Sequence, residues 1–168
     1  MPKATYQAPR EGVALSPNEL RRVASSLTVL SRAFTLARSH EQLLKEAGVR
    51  LDRAGSALLL KLRSHGESAR VSDLADLLGI DTPAVTRKVQ QLERLGYVAI
   101  GPDAQDKRAK RITLTRSGVK TIERIMLAIN HRLTRLFEGW TKEEVIIFSS
   151  SLEKFARALT GEMESDRD

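Results

Sequence analysis

The chain has 168 residues, no cysteine, and 28 Lys plus Arg against 21 Asp plus Glu, for a formal charge of +7. That length can bury a real core in one domain or two small lobes, and the basic excess favours polyanions, nucleic acid ahead of an anionic membrane surface. Disulfides, thiolate nucleophiles and cysteine-containing zinc sites are excluded, and no apolar run approaches the roughly 20 residues that span a bilayer.

Residues 1–15 hold Pro2 and Pro9 and few large apolar side chains, and are expected to form a flexible arm. They do not pair a basic region with an apolar stretch as a signal peptide does, so a cytoplasmic location is expected. Ser16-Pro17-Asn18-Glu19 is a strong helix start: serine can cap, proline suits the first turn, and Glu19 can reach back. The helix is predicted to run to about Ala47, with Gly48 ending it. Leu20, Val23, Leu27, Leu30, Phe34 and Ala37 recur three and four apart, a seam suited to a partner helix. Residues 16–50 are therefore expected to be an N-terminal dimerisation segment.

Residues 51–115 form the predicted reading module. Its first helix spans about Arg53 to Ser64, with Leu58, Leu59 and Leu62, and closes near Gly66. Ser72 is the expected cap of a second helix, with Asp73 and Asp76 near its positive end. Leu74, Leu77 and Leu78 are expected to face inward, Gly79 to end that helix, and Ile80 to plug the turn. Asp81 or Thr82 caps the next helix, with Pro83 behind it. There Val85, Val89 and Leu92 fall within one arc, while Pro83, Arg87, Gln90 and Arg94 lie opposite.

This order, followed by two short strand-like runs, describes a helix-turn-helix with a β-hairpin wing, mainly α overall. N-terminal residues of such a recognition helix reach base edges. Thr82, Pro83, Ala84, Thr86 and Arg87 are therefore the candidates for groove contact. Arg87 suits a bidentate contact to guanine, while Lys88, Gln90 and Arg94 suit phosphates. Gly96 ends the helix, and Tyr97–Ile100 is predicted to pair with Arg111–Leu114. The loop between them carries Asp106, Lys107, Arg108 and Lys110, and an arginine at its tip can enter a minor groove. Asp106 is expected to orient Arg108 or cap the turn. From Asp81 to Arg116 eight basic residues face four acidic ones, so this stretch alone holds more than half of the charge excess.

Residues 116–168 are expected to supply C-terminal dimerisation helices. Thr115 caps a long helix to about Phe137, striped by Ile122, Ile125, Met126, Ile129, Leu133 and Leu136. Gly139 and Trp140 mark a break. Thr141 and Glu144 form a capping box for a last helix bearing Val145, Phe148, Leu152, Phe155 and Leu159, with Gly161 expected to stop it.

The string LADLLGIDTPAVTRKVQQLERLGYV, then DKR, then LTRSG, resembles the MarR family of bacterial transcription regulators, over roughly Leu51 to Gly118. The family's Asp-x-Arg in the wing maps to Asp106 and Arg108, and its Leu-Thr-x-x-Gly maps to Leu114, Thr115 and Gly118. The resemblance implies an obligate dimer whose two winged modules read a pseudo-palindromic operator. It also implies relief of repression by small anionic, often phenolic, ligands or by oxidants. Three departures stand out. Ala99, Ile100 and Gly101 replace charges common at the wing base, which implies weaker phosphate contact there. The lack of cysteine removes a thiol switch. Gly55 stands where a larger residue is common, either opening space beside a pocket or loosening a helix.

His40, His65 and His131 are scattered without a second ligand at helical spacing, and no Gly-x-Ser-x-Gly elbow occurs. No metal, cofactor or catalysis is expected. Phe34, Leu58, Leu62, Met126 and Trp140 are candidates for an effector pocket, with Arg38 and His40 facing a ligand carboxylate. The reading is thus a dimeric DNA-binding regulator. Its alternatives are a sequence-indifferent architectural DNA binder and a protein-interaction module with an incidental basic face.

Overall fold

The computed structural model describes residues 15–35, 37–103, 105–106 and 109–165. The expected arm lies almost wholly outside them. The chain divides into two compact units, Met1–Gln42 and Leu43–Asp168. Among the described residues no helix is long and apolar enough to cross a membrane.

In the first unit, helix α1 (Pro17–Thr35) starts as its sequence dictates. The Ser16 N–H donates to Glu19 Oε2 at 2.7 Å, and the Glu19 N–H donates to Ser16 Oγ at 3.3 Å. Leu20, Val23, Leu27 and Leu30 line its apolar stripe and remain exposed. Helices α1 and α2 (Ala37–Glu46) both fall within the helix expected to reach about Ala47, and Leu36 between them lies outside the described residues. From Leu43 onward α2 belongs to the second unit, where Leu44 and Ala47 are buried. Packing of that last turn sets it apart from the exposed stripe of α1.

The second unit continues through α3 (Arg53–Ser64), β1 (Ser68–Arg70), α4 (Val71–Leu78), α5 (Thr82–Arg94), β2 (Val98–Pro102), β3 (Lys110–Leu114), α6 (Arg116–Leu136) and α7 (Lys142–Ser165). This is a winged helix: a mostly helical body with a three-stranded antiparallel sheet in the order β1-β3-β2. The β2–β3 hairpin pairs Val98 with Leu114, Ile100 with Ile112 and Gly101 with Arg111. Strand β1, absent from the sequence reading, pairs Ala69 with Ile112 and Arg70 with Arg111. Three residues are too few to carry a readable alternation.

The main core joins Leu58, Leu59 and Leu62 of α3 to Leu74, Val85, Leu92, Ile112 and Ile122. A smaller core sets Leu44, Ala47 and Val49 against Ile125 and Ala128 of α6. Several local expectations need correction. The cap of α4 is Arg70 rather than Ser72, with the Arg70 N–H donating to Asp73 Oδ2 at 3.2 Å. Leu77 and Ile80 are exposed, at 37% and 48%, and Leu78 is half-buried. Leu74 alone of that leucine trio is fully buried, because three leucines spread over about 100° of so short a helix cannot all meet one core. Helix α7 runs through Gly161 to Ser165; an interior glycine costs only about 1 kcal/mol.

The Leu-Thr-x-x-Gly segment joins module to helix. The Thr115 hydroxyl caps α6 by accepting the Gly118 N–H at 3.0 Å and donates to the Gly96 carbonyl at 2.7 Å. The Thr115 N–H donates to the Tyr97 carbonyl at 3.1 Å. The end of α5, the start of β2 and the start of α6 are thus tied at one point. Farther on, Thr141 and Glu144 form the expected reciprocal cap of α7. Phe137, Trp140 and Phe148 pack edge-to-face at the α6–α7 corner, with ring centroids 5.3–5.9 Å apart.

Candidate nucleic-acid interface

Helix α5 is fixed at its start and along its inner face. Asp81 Oδ1 accepts the Ala84 N–H at 2.8 Å, and Pro83 sits in the first turn. Val85, Val89 and Leu92 are buried, so the opposite face is turned outward. Thr82, Pro83, Arg87, Gln90 and Arg94 are exposed there, and Ala84 and Thr86 are half-buried. The Thr86 hydroxyl donates to the Thr82 carbonyl at 2.8 Å, leaving its lone pairs for an outside donor. Arg87 stands on this face with a guanidinium fork of the geometry that matches the O6 and N7 acceptors of guanine.

Lys88 is not on that face. Its ammonium lies 2.5 Å from Asp52 Oδ2 and 2.9 Å from Gln91 Oε1. Asp52 also caps α3, accepting the Gly55 N–H at 2.8 Å. The Lys88 bond, against some burial, holds the Asp52 carboxyl below its ordinary range. Lys88, expected from sequence to contact phosphate, is paired here with Asp52 and ties the recognition helix to the cap of α3. The partner lies 36 residues away, beyond any local pattern. Gly55 is tightly packed, not open: a Cβ there would meet Asp52 Oδ1 at 3.0 Å and Leu92 Cδ2 at 3.5 Å.

In the wing, Asp106 and Lys110 are exposed, and the Asp106 carbonyl accepts the Ala109 N–H at 2.9 Å. Lys107 and Arg108 lie outside the described residues, and with them the expected Asp106–Arg108 pairing. A groove of about 450 Å³ runs between α5 and the wing, with Gln90, Glu93, Ile100 and Lys110 in its walls.

The acidic residue that sequence reasoning missed is Asp103. Its carboxylate is buried, at 0% side-chain exposure. Oδ2 accepts Arg70 Nε at 3.2 Å and Arg111 Nε at 2.7 Å. Oδ1 accepts Arg70 Nη2 at 3.0 Å and the N–H groups of Gln105 and Asp106 at 3.0 and 3.1 Å. The Arg70 guanidinium first, then these backbone donors and Arg111, hold the carboxyl well below the usual carboxylate range despite its burial. Only the β1 pairing brings Arg70 here, so no motif announces the cluster.

A depressed folded-state pKa stabilises fully above the ordinary carboxylate value of about 4 and is lost as the pH falls through the folded one. Asp103→Asn is therefore expected to melt below the parent at neutral pH. The gap should narrow in thermal melts as pH drops from about 5 toward 2. A gap constant with pH would contradict this.

Of the seven residues expected to line an effector pocket, the four in the second unit play separate parts. Leu58 and Leu62 are fully buried core side chains, and Met126 is exposed on α6. His40 belongs to the first unit and is half-buried; the side chains of Phe34 and Arg38 lie outside the described residues. Trp140 is taken up by the aromatic corner. The second unit does carry an open groove of about 770 Å³, between Glu46 and Ala47 on one side and Arg124, Leu127, His131 and Arg135 on the other. Among the described residues no three His, Asp or Glu side chains cluster as metal ligands.

Known proteins place this geometry. A protein from Bacillus stearothermophilus, itself described as of the MarR family, superposes with a TM-score of 0.76 at 22% identity, covering 88% of this chain and 99% of that one. S. aureus MepR F27L, solved bound to an oligodeoxyribonucleotide, gives 0.53 at 24% identity over 87% and 99%. Bordetella bronchiseptica BpsR, whose DNA binding is regulated by 6-hydroxynicotinic acid, gives 0.56 at 21% over 79% and 98%. Residues 51–109, spanning α3 through the wing, match the model of the MarR family. The winged-helix architecture of the second unit and the match of its segment 51–109 to the MarR family model agree.

Proposed function

We propose that the chain is a sequence-specific DNA-binding transcriptional regulator, a cytoplasmic homodimer that represses its target and is released by a small anionic or phenolic ligand. The observation that carries this reading is α5, held to the core by Val85, Val89 and Leu92 and presenting Arg87, Gln90 and Arg94 outward beside the wing. Base reading is assigned to Thr82, Pro83, Ala84, Thr86 and Arg87. Phosphate contact is assigned to Lys88, Gln90, Arg94, Lys107 and Lys110, and minor-groove contact to Arg108 at the wing tip. The exposed stripes of α1 and α7 support a second copy, whose two-fold symmetry sets two half-sites roughly 10 base pairs apart. MepR on its oligodeoxyribonucleotide supports the DNA partner, and BpsR with its hydroxylated aromatic acid supports the effector. The groove by Arg124, His131 and Arg135, apolar at Leu127 and Ala128, suits an aromatic anion.

The test is binding to a duplex from the gene's own upstream region, competed with random duplex at about 150 mM salt. A preference of about a thousandfold is expected. Arg87→Ala should cost about 1–3 kcal/mol on that site and little on random DNA. Binding without preference would support the architectural reading, and no binding would point to a protein partner.

A further inference from the structure

The wing is tied to the rest of the sheet by charge. Arg70 on β1 and Arg111 on β3 are direct cross-strand partners, an arrangement of like charges that destabilises a sheet unless something bridges it. Asp103, the first residue after β2, is that bridge: its two oxygens take three guanidinium N–H groups from the pair. The same carboxylate accepts the N–H groups of Gln105 and Asp106, and the Asp103 N–H donates to the Ala109 carbonyl at 3.0 Å. One buried side chain therefore fastens the two ends of the wing loop to both β3 and β1. Through Arg70, the cap of α4, it also reaches the helix-turn-helix.

We propose that Asp103 is a positioning residue for DNA binding, fixing the described ends of the wing against β1 and the helix-turn-helix through its bridge to Arg70 and Arg111. The inference rests on the DNA-binding reading above. It makes a prediction opposite in sign to simple charge counting. Removing an acid from a basic DNA-binding face adds net positive charge, which by itself tightens binding to a polyanion and steepens its salt dependence. A positioning role weakens binding instead, because the wing, with Lys110 on it, no longer meets the DNA in register with α5.

The experiment measures affinity of the full chain for the upstream duplex across a salt series, for the parent, Asp103→Asn, Arg70→Lys and Glu138→Gln. Far-UV circular dichroism follows the folded fraction. Asp103→Asn is expected to bind about tenfold more weakly, with its log–log salt slope shallower by about one for each phosphate that the wing no longer neutralises. Arg70→Lys keeps the charge but gives up the two-point grip on the carboxylate, and should also weaken binding several-fold. Glu138→Gln, an equal charge change on an exposed residue beyond α6, should not weaken it. Equal or tighter binding by folded Asp103→Asn overturns the positioning role while leaving DNA binding intact. If Asp103→Asn does not fold, parental affinity in folded Arg70→Lys overturns it. No duplex binding by the parent overturns the DNA-binding reading itself, and this inference with it.

Discussion

Replacing Gly118 with alanine is expected to lower the stability of the second unit by about 3 kcal/mol, at the upper end of overpacking effects. The reason is a clash with backbone. A Cβ at this buried position would stand 2.1 Å from the Tyr97 carbonyl oxygen and 3.1 Å from its carbon, with Leu114 Cδ2 at 3.3 Å. No side-chain rotation relieves that. The Tyr97 carbonyl must move, yet it accepts the Thr115 N–H at 3.1 Å, while the Tyr97 N–H donates to the Leu92 carbonyl at 2.9 Å. A shift at Tyr97 therefore loosens the end of the recognition helix and the start of α6 together. Thermal melts should show Tm lowered by roughly 10 °C. Gly101→Ala is the contrast: nothing lies within 4 Å of its absent Cβ, and its melt should match the parent. An unchanged Tm for Gly118→Ala would show that the junction yields without cost.

That junction illustrates which parts of the molecule are legible in the sequence. Caps and short-period stripes are, because their partners lie within one turn. Asp81, Thr115, the Ser16–Glu19 pair and the Thr141–Glu144 pair all close bonds over three residues. The inner arc of α5 is legible for the same reason, and it fixes the outer face by exclusion. What escapes is whatever depends on long-range pairing. Strand β1 exists only because β3 offers it an edge, and Asp103 meets Arg70 only because β1 exists. Lys88 reads as an exposed cation until Asp52 is brought beside it. The leucines of α4 err in the other direction: apolar character alone does not say which of them a small core has room to cover. Local periodicity thus reveals the recognition face, while the side chains that hold it in place emerge only from the tertiary fold.

The apolar stripe of α7 bears the second large prediction. Phe148, Leu152, Phe155 and Leu159 are 38–49% exposed in the single chain and lie on one face of the helix. Exposed apolar surface of this extent marks an interaction site, and helical seams spaced three and four apart suit another helix. With the homodimer proposed above, Leu152→Glu combined with Phe155→Glu places two unpaired carboxylates in the seam, which separates the copies while leaving each chain folded, since neither side chain is in a core. Sedimentation should then show a monomer. Affinity for a two-half-site operator should fall by about 10²–10⁴-fold, the advantage that linking two binding modules confers. Lys154→Glu makes the same net change in charge from the opposite, polar side of α7, and should leave both assembly and binding nearly as they were. Comparable losses in both variants would assign the effect to long-range repulsion of DNA. A doubly substituted chain that still sediments as a dimer would place the interface elsewhere on the molecule, and the stripe of α7 would need another occupant.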